Sequence, residues 1–223
     1  MSASAALSFA SISALAGFGA VCVATQSPLP AVLLLVGFVV YVGPYSLYLK
    51  RKSVHGTIAG SVAGAMPPVV GYCASTGVFD AGAAVLFITF ALWQLPHAYA
   101  IAIRREADYR SAGIPVLPLV KGMRATKRQM VISVGAFVLS AASLGYFGYA
   151  GAVYEVTVLS AGTFWLSLAL RGFRARSDVA WARAMFFSSV VIVTALYAAM
   201  SVDGRHPTGQ ATDASRIDGQ PRS

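Results

Sequence analysis

The sequence predicts an all-α, polytopic bundle of transmembrane helices. Two compositional facts and one pattern carry that expectation. The 223 residues are 57% hydrophobic and 11% charged, against a charged share of about 25% in an ordinary soluble domain, and the mean hydropathy is +0.68. Seven apolar stretches are each long enough to cross a bilayer, which takes about 20 residues. The basic residues fall in alternate connections between those stretches. The formal charge of +9 therefore belongs to loops and not to a basic domain, and no nucleic-acid partner is expected.

The spans are expected near Ala5–Ala24, Leu29–Leu49, Thr57–Thr76, Ala81–Ile103, Gln129–Tyr149, Val153–Leu170 and Ala184–Val202. The first has no Lys or Arg before its apolar run, so it reads as a retained helix and not as a cleaved signal. Cys22 and Cys73 both lie inside apolar segments, with no spacing for a metal and no disulfide framework. The third span carries Gly56, Gly60 and Gly64 at four-residue steps, a stripe that lets another helix approach closely. Its Pro67-Pro68 pair removes two backbone donors and is expected to break or bend the helix in mid-membrane. Pro96 is expected to act likewise in the fourth span, and a cavity between these two helices follows as an inference. Residues 1–203 form the membrane unit. Residues 204–223, polar and rich in Gly, Pro and Ser, are expected to be disordered.

The connections Lys50–His55, Arg104–Arg128 and Arg171–Arg183 hold three, seven and four Lys/Arg, while the opposite connections hold none. That asymmetry orients the chain with its basic loops and N-terminus in the cytoplasm and its C-terminal tail on the far side.

The stretch Trp93–Pro118 concentrates the chemistry. On a continuous helix, His97, Arg104 and Asp108 fall within roughly 20° of one line, with Trp93 one turn before His97 and Tyr109 beside that line. Polar groups at such depth are costly and read first as functional. The plain alternative is a histidine bonded inside the bundle above a solvated charge run. His97 is a base, an iron ligand or a hydrogen-bond donor on the residue evidence alone. Asp108 is a metal ligand or the ion-pair partner of Arg104, four residues earlier. Glu106, two positions away, diverges from Asp108 by about 200° on a helix. The ten cations of the first two basic connections suit a diphosphate or carboxylates, or else only set topology and touch anionic lipid. The Gly113-Ile114-Pro115 and Pro118 positions favour the ligand, because they stiffen a loop that a pure topology signal leaves loose.

Four blocks carry a family resemblance: YSLYLKRKSVHGT (Tyr45–Thr57), GAMPPVVGY (Gly64–Tyr72), LWQLPHAYAIAI (Leu92–Ile103) and DYRSAGIPVLPLVKG (Asp108–Gly122). The chain resembles the protoheme IX farnesyltransferases, or haem O synthases, among the UbiA-type intramembrane prenyltransferases. The resemblance implies a nine-helix fold, of which the seven spans here match helices three to nine. It implies a bacterial inner-membrane enzyme that transfers farnesyl from farnesyl diphosphate to a vinyl group of haem b, giving haem O and pyrophosphate for terminal oxidase assembly. Magnesium is the implied metal, with Asp108 and Glu106 as its ligands here. His97, Asp108 and Arg104 are the implied catalytic set. Lys50, Arg51, Arg104 and Arg105 are assigned to diphosphate or haem propionates, His97, Trp93, Gln94 and Tyr99 to the haem or prenyl pocket, and Tyr109 and Lys121 to substrate binding. The family's first motif, N-x-x-x-D-x-x-x-D, has no counterpart, because the sequence has no asparagine and no two aspartates four apart. The chain thus reads as truncated at its N-terminus relative to that fold, and these residues alone are expected to make little haem O. Two other functions stand beside this one: a quinone or lipid prenyltransferase of the same fold, and a non-catalytic remnant or assembly partner.

The loop asymmetry yields a direct check. A periplasm-dependent reporter fused after Asp203 is expected to be active, and one fused within Arg171–Arg183 silent; the reverse pattern inverts every loop.

Overall fold

The computed structural model describes residues 2–25 and 27–204. Ten α-helices follow one another: α1 (Ala3–Ala24), α2 (Leu29–Val40), α3 (Lys50–Lys52), α4 (Gly56–Gly64), α5 (Met66–Thr76), α6 (Ala81–Arg104), α7 (Glu106–Ser111), α8 (Leu117–Tyr146), α9 (Ala152–Arg171) and α10 (Asp178–Asp203). No strand occurs among the described residues. Six helical stretches are long and apolar enough to span a membrane. The remaining span, the third in the sequence, is delivered as the tandem pair α4 and α5.

That pair shows why the proline expectation was well placed. The chain leaves helical register at Ala65, and the second half-helix starts at Met66 with proline in its first positions. Proline is tolerated there because the first backbone donors of a helix have no intrahelical partner in any case. The second span departs from its expected form. Instead of an α-helix through Leu49, it widens into a π-helix over Tyr41–Leu49 with Pro44 inside. The proline ring cannot fit against the carbonyl four residues back, so the coil expands locally. Pro96, by contrast, sits inside α6 without ending it.

Helix α6 is the hub, packing on α4, α5, α8 and α10. Thr89 and Ser140 join α6 to α8 through a 2.8 Å hydroxyl pair, and Phe137 meets Trp165 edge-on at 5.5 Å between α8 and α9. Helix α1 packs chiefly on α2 and exposes Leu7, Phe9, Ile12 and Leu15, as a lipid-facing helix does. Helix α8 begins nearer the basic loop than expected, at Leu117, and kinks at Gly122 (φ 79°, ψ 168°), a backbone state open essentially to glycine alone.

At the end away from the basic loops, acids serve as caps. Asp80 accepts from the Ala83 amide at 3.0 Å and from the Tyr72 hydroxyl at 3.0 Å. Asp203 accepts from the Val153 amide at 2.7 Å, placing a carboxylate on the positive end of α9. Gly204 pairs with Ala150 in an isolated bridge; the rest of the expected tail lies outside the described residues. At the basic end, Asp178 is drawn into the bundle. It opens α10 and forms an ion pair with Lys127 of α8, whose side chain is 10% exposed and lies over the Trp181 ring at 5.4 Å.

This clamp ties α8 to α10. Lys127→Ala is expected to destabilise the bundle by about 2 kcal/mol, between the values for exposed and buried pairs, and Asp178→Asn by about 1 kcal/mol. Thermal unfolding in detergent micelles checks both.

Candidate active site

A cavity of about 220 Å³ opens where the first two basic connections meet. Its walls come from the π-helical turn (Tyr41, Tyr45), the Lys50–Gly56 connection, α4 (Thr57, Gly60, Ser61), one row of α6 (Gln94, Ala98, Ala102) and the segment Tyr109–Val116. The expected cavity between the third and fourth spans is therefore present, displaced toward the basic loops. Its depth follows from the α6 row: Gln94 to Ala102 is eight residues, or about 12 Å.

Local sequence explains each wall. Lys50 ends the π-helical segment and places its Nζ 5.9 Å from the Tyr45 ring centroid. Tyr45 in turn stands 5.3 Å from Tyr41, ring to ring. Gly60 makes room for Tyr45, since a Cβ there would meet the ring at 3.0 Å. Gly64 does the same for Gln94: any Cβ at 64 would collide with the carboxamide. The outer wall is a helix-ending turn. Gly113 adopts φ 63°, its amide bonds to the Arg110 carbonyl, and the Ile114 amide reaches back to the Tyr109 carbonyl at 3.0 Å. This six-residue closure is the Schellman pattern, and it folds Ile114-Pro115-Val116 over the mouth.

The residues singled out in the sequence are placed in different surroundings. Lys50, Gln94 and Tyr109 line the cavity. Trp93, His97 and Arg104 lie on another face of α6, against α10. There His97 is stacked between Trp93 at 4.9 Å and Phe186 at 4.8 Å, its Nδ1 is 2.7 Å from Ser189 Oγ, and Trp93 Nε1 donates to the Ser189 carbonyl at 3.0 Å. Arg104 covers the Phe186 ring at 5.0 Å. Tyr99 is 3% exposed in the core row Leu95, Tyr99, Ile103, not on the cavity wall. Arg51, Arg105 and Lys121 are exposed at the loop surface.

The single line of His97, Arg104 and Asp108 does not form. Helix α6 stops at Arg104, and Arg105 (φ −110°, ψ 26°) breaks the register before α7. Asp108 consequently pairs with Arg105 at 3.1 Å, not with Arg104, and Glu106 pairs with Arg110 at 2.6 Å. The two acids are held on separate arginines. Among the described residues no group of three or more His, Cys, Asp or Glu side chains is arranged to hold a metal ion. Sequence reasoning missed Tyr41, Tyr45, Thr57, Gly60 and Ser61. Their signal was present, since Tyr45 and Thr57 bound the first family block and Gly60 lies in the small-residue stripe.

Residues 1–191 match the UbiA prenyltransferase family. The chain belongs to this family. It is 50% identical over 208 residues to "Protoheme IX farnesyltransferase 2" of Chromobacterium violaceum, covering 93% of this chain and 68% of that relative. It is 49% identical over 197 residues to "Protoheme IX farnesyltransferase" of Yersinia pseudotuberculosis, covering 88% and 66%, and 48% identical over 202 residues to the protein of that name in Yersinia enterocolitica, covering 91% and 68%. The chain thus spans about two thirds of the length of these curated relatives. No solved structure matches it. As a UbiA-family member with six apolar spanning helices, it is a multi-pass membrane protein.

The packing of His97 has a measurable consequence. Ser189→Ala is expected to lower stability by about 1 kcal/mol through the lost hydrogen bond, and His97→Ala by about 3 kcal/mol through the cavity left between Trp93 and Phe186. Melting temperatures of the purified variants test the contact.

Proposed function

We propose that this protein transfers a farnesyl group from farnesyl diphosphate to a vinyl group of haem b, releasing pyrophosphate and forming haem O. The observation that carries the reading is a cavity set between two basic connections, with Lys50 at its rim and walls of tyrosine rings and small residues interspersed with the polar Thr57, Ser61 and Gln94, in a chain about half identical to proteins named protoheme IX farnesyltransferase. The relatives' name supplies the substrates; the cavity supplies a place for them.

The division of the wall fits the division of the donor substrate. A diphosphate at the rim meets the Lys50 ammonium, and Arg51 follows on the same short helix α3. As the allylic carbon–oxygen bond breaks, negative charge builds on the departing pyrophosphate, and fixed cations beside it lower that barrier. The isoprenoid carbons then lie along Tyr41, Tyr45 and Gly60. At about 220 Å³ the cavity takes the reacting end of the donor and one edge of a porphyrin. The rest of the macrocycle stays outside, and the exposed Arg51 next to Lys50 is the cation offered to its propionates.

Magnesium, implied by the resemblance, does not fit the acids assigned to it. Asp108 and Glu106 each hold an arginine and project from a two-residue separation on α7. Stabilisation of the pyrophosphate therefore falls to the chain's own cations, Lys50 foremost. We assign the protein to the bacterial inner membrane with its basic loops cytoplasmic, on the charge asymmetry, and its product to terminal oxidase assembly, on the resemblance.

The test is expression from the native gene, with any in-frame upstream codons retained, in cells that lack their own haem O synthase. Mass spectrometry of extracted haem is expected to show the hydroxyfarnesyl product, and unmodified haem b alone sinks the proposal. In membranes from the same cells, Lys50→Ala is expected to raise KM for farnesyl diphosphate about tenfold while Lys50→Arg keeps most of the affinity.

A further inference from the structure

The farnesyl transfer proposed above differs from simple prenylation in its last step. The terminal vinyl carbon attacks the allylic carbon, a carbon–carbon bond forms, and pyrophosphate leaves with the bonding electrons. A cation remains on the vinyl carbon attached to the porphyrin. Two fates compete for it. Water adds, giving the hydroxyl of haem O, or the neighbouring carbon loses a proton, giving an alkene. In a membrane cavity the choice rests on whether one water is held at the right place, and a buried water needs two or more polar partners.

The far end of the cavity supplies them. Gln94 lies about 12 Å beyond Ala102 along α6 and is the polar member of a row whose other members are Ala98 and Ala102. The side-chain hydrogen bonds made from within α6 among the described residues belong to Thr89, Trp93 and His97; Gln94 makes none. Its carboxamide nonetheless packs directly against Gly64, where any Cβ would collide with it. On α4, one turn before Gly64, Ser61 also lines the cavity; it is 3% exposed, and its hydroxyl donates to the Ile58 carbonyl at 2.7 Å and so keeps its lone pairs for another donor. The depth also agrees. A diphosphate at the Lys50 rim, followed by the bond that breaks and the two carbon centres that react, fills most of the distance to Gln94.

We propose that Gln94, seated by Gly64 and assisted by Ser61, holds the water that becomes the hydroxyl of the product. The water donates its hydrogens to the Gln94 carbonyl oxygen and to Ser61 Oγ, which turns a lone pair toward the porphyrin-bound cation. The carbon–oxygen bond forms from that lone pair. The proton released goes to the pyrophosphate produced in the same cavity, which is basic enough to take it. No oxidant or further reactant enters. Gln94 is a positioning residue in this scheme: it governs the fate of the cation and not its formation.

The experiment reads product identity, which a merely structural role does not move. Membranes carrying the native protein are given haem b and farnesyl diphosphate in oxygen-18 water, and alkylated haems are resolved by mass. The wild type is expected to give the labelled hydroxyl product. Gln94→Leu is expected to raise the ratio of the alkene, one water lighter, to the hydroxyl product by about tenfold, the worth of a lost hydrogen bond of ordinary strength. Gly64→Ala keeps Gln94 but displaces its carboxamide, and the same shift is expected. Product that stays wholly hydroxylated in both variants, at whatever rate, overturns the proposal. Loss of all alkylated product in both overturns it too, because the residue acts after the carbon–carbon bond. Absence of any alkylated haem from the wild type is a different result and counts against the farnesyl transfer itself.

Discussion

The bilayer offers no water to a broken backbone, and this constraint organises the molecule. Every helix that interrupts its own hydrogen-bond ladder inside the membrane must place the interruption against protein or a wet cavity. The π-helical turn around Pro44, the Ala65 joint between α4 and α5, and the Arg105 break between α6 and α7 all flank the same region. Two of them contribute directly to the cavity walls, through Tyr41, Tyr45 and Tyr109. The cavity exists because the helices around it are irregular, and the irregularities are tolerated because the cavity is there.

Helix α6 reconciles packing with chemistry by assigning them to different rows. Leu95, Tyr99 and Ile103 fill the core. Trp93 and His97 bind α10 through rings and Ser189. Gln94, Ala98 and Ala102 face the cavity. Two small residues and one amide make a wall that admits a substrate without competing for its polar groups. A helix with polar residues on every side has no such division, and polar side chains at depth are costly wherever they lack partners. Here Thr89, Trp93 and His97 each have one, while the Gln94 amide faces the cavity.

The basic loops are likewise divided. Lys50 leans over the rim, while Arg105 and Arg110 are occupied by Asp108 and Glu106 on the exposed α7. Lys127, although counted with the loop cations, is buried against Trp181 and spent on Asp178. Net positive charge thus attracts an anionic donor from a distance, but only part of it stands at the site. The Schellman turn at Gly113 matters for the same reason: it holds the stiff Ile114-Pro115-Val116 segment where it closes one side of the mouth.

By itself the sequence determined the class, an all-α membrane bundle, and the grouping of basic residues into alternate connections, because apolar length and loop charge are properties of the chain read in one dimension. It also determined the third span's break, since Pro67 and Pro68 lack donors in any fold, and the family, through blocks such as LWQLPHAYAIAI. It named Lys50, Gln94 and Tyr109 among the site residues. What it could not determine was direction. His97, Arg104 and Asp108 share one line only on a helix that continues, and the end of α6 at Arg105 is set by where α7 and the loop pack. Whether His97 faces a cavity or Ser189 depends on the rotation of α6 against α10, which is fixed by rings and small residues far apart in the chain. Asp178 and Lys127, fifty-one positions apart, meet for the same reason. The chain specifies which residues are able to do chemistry; only the packing of one helix against four others decided which of them look into the cavity.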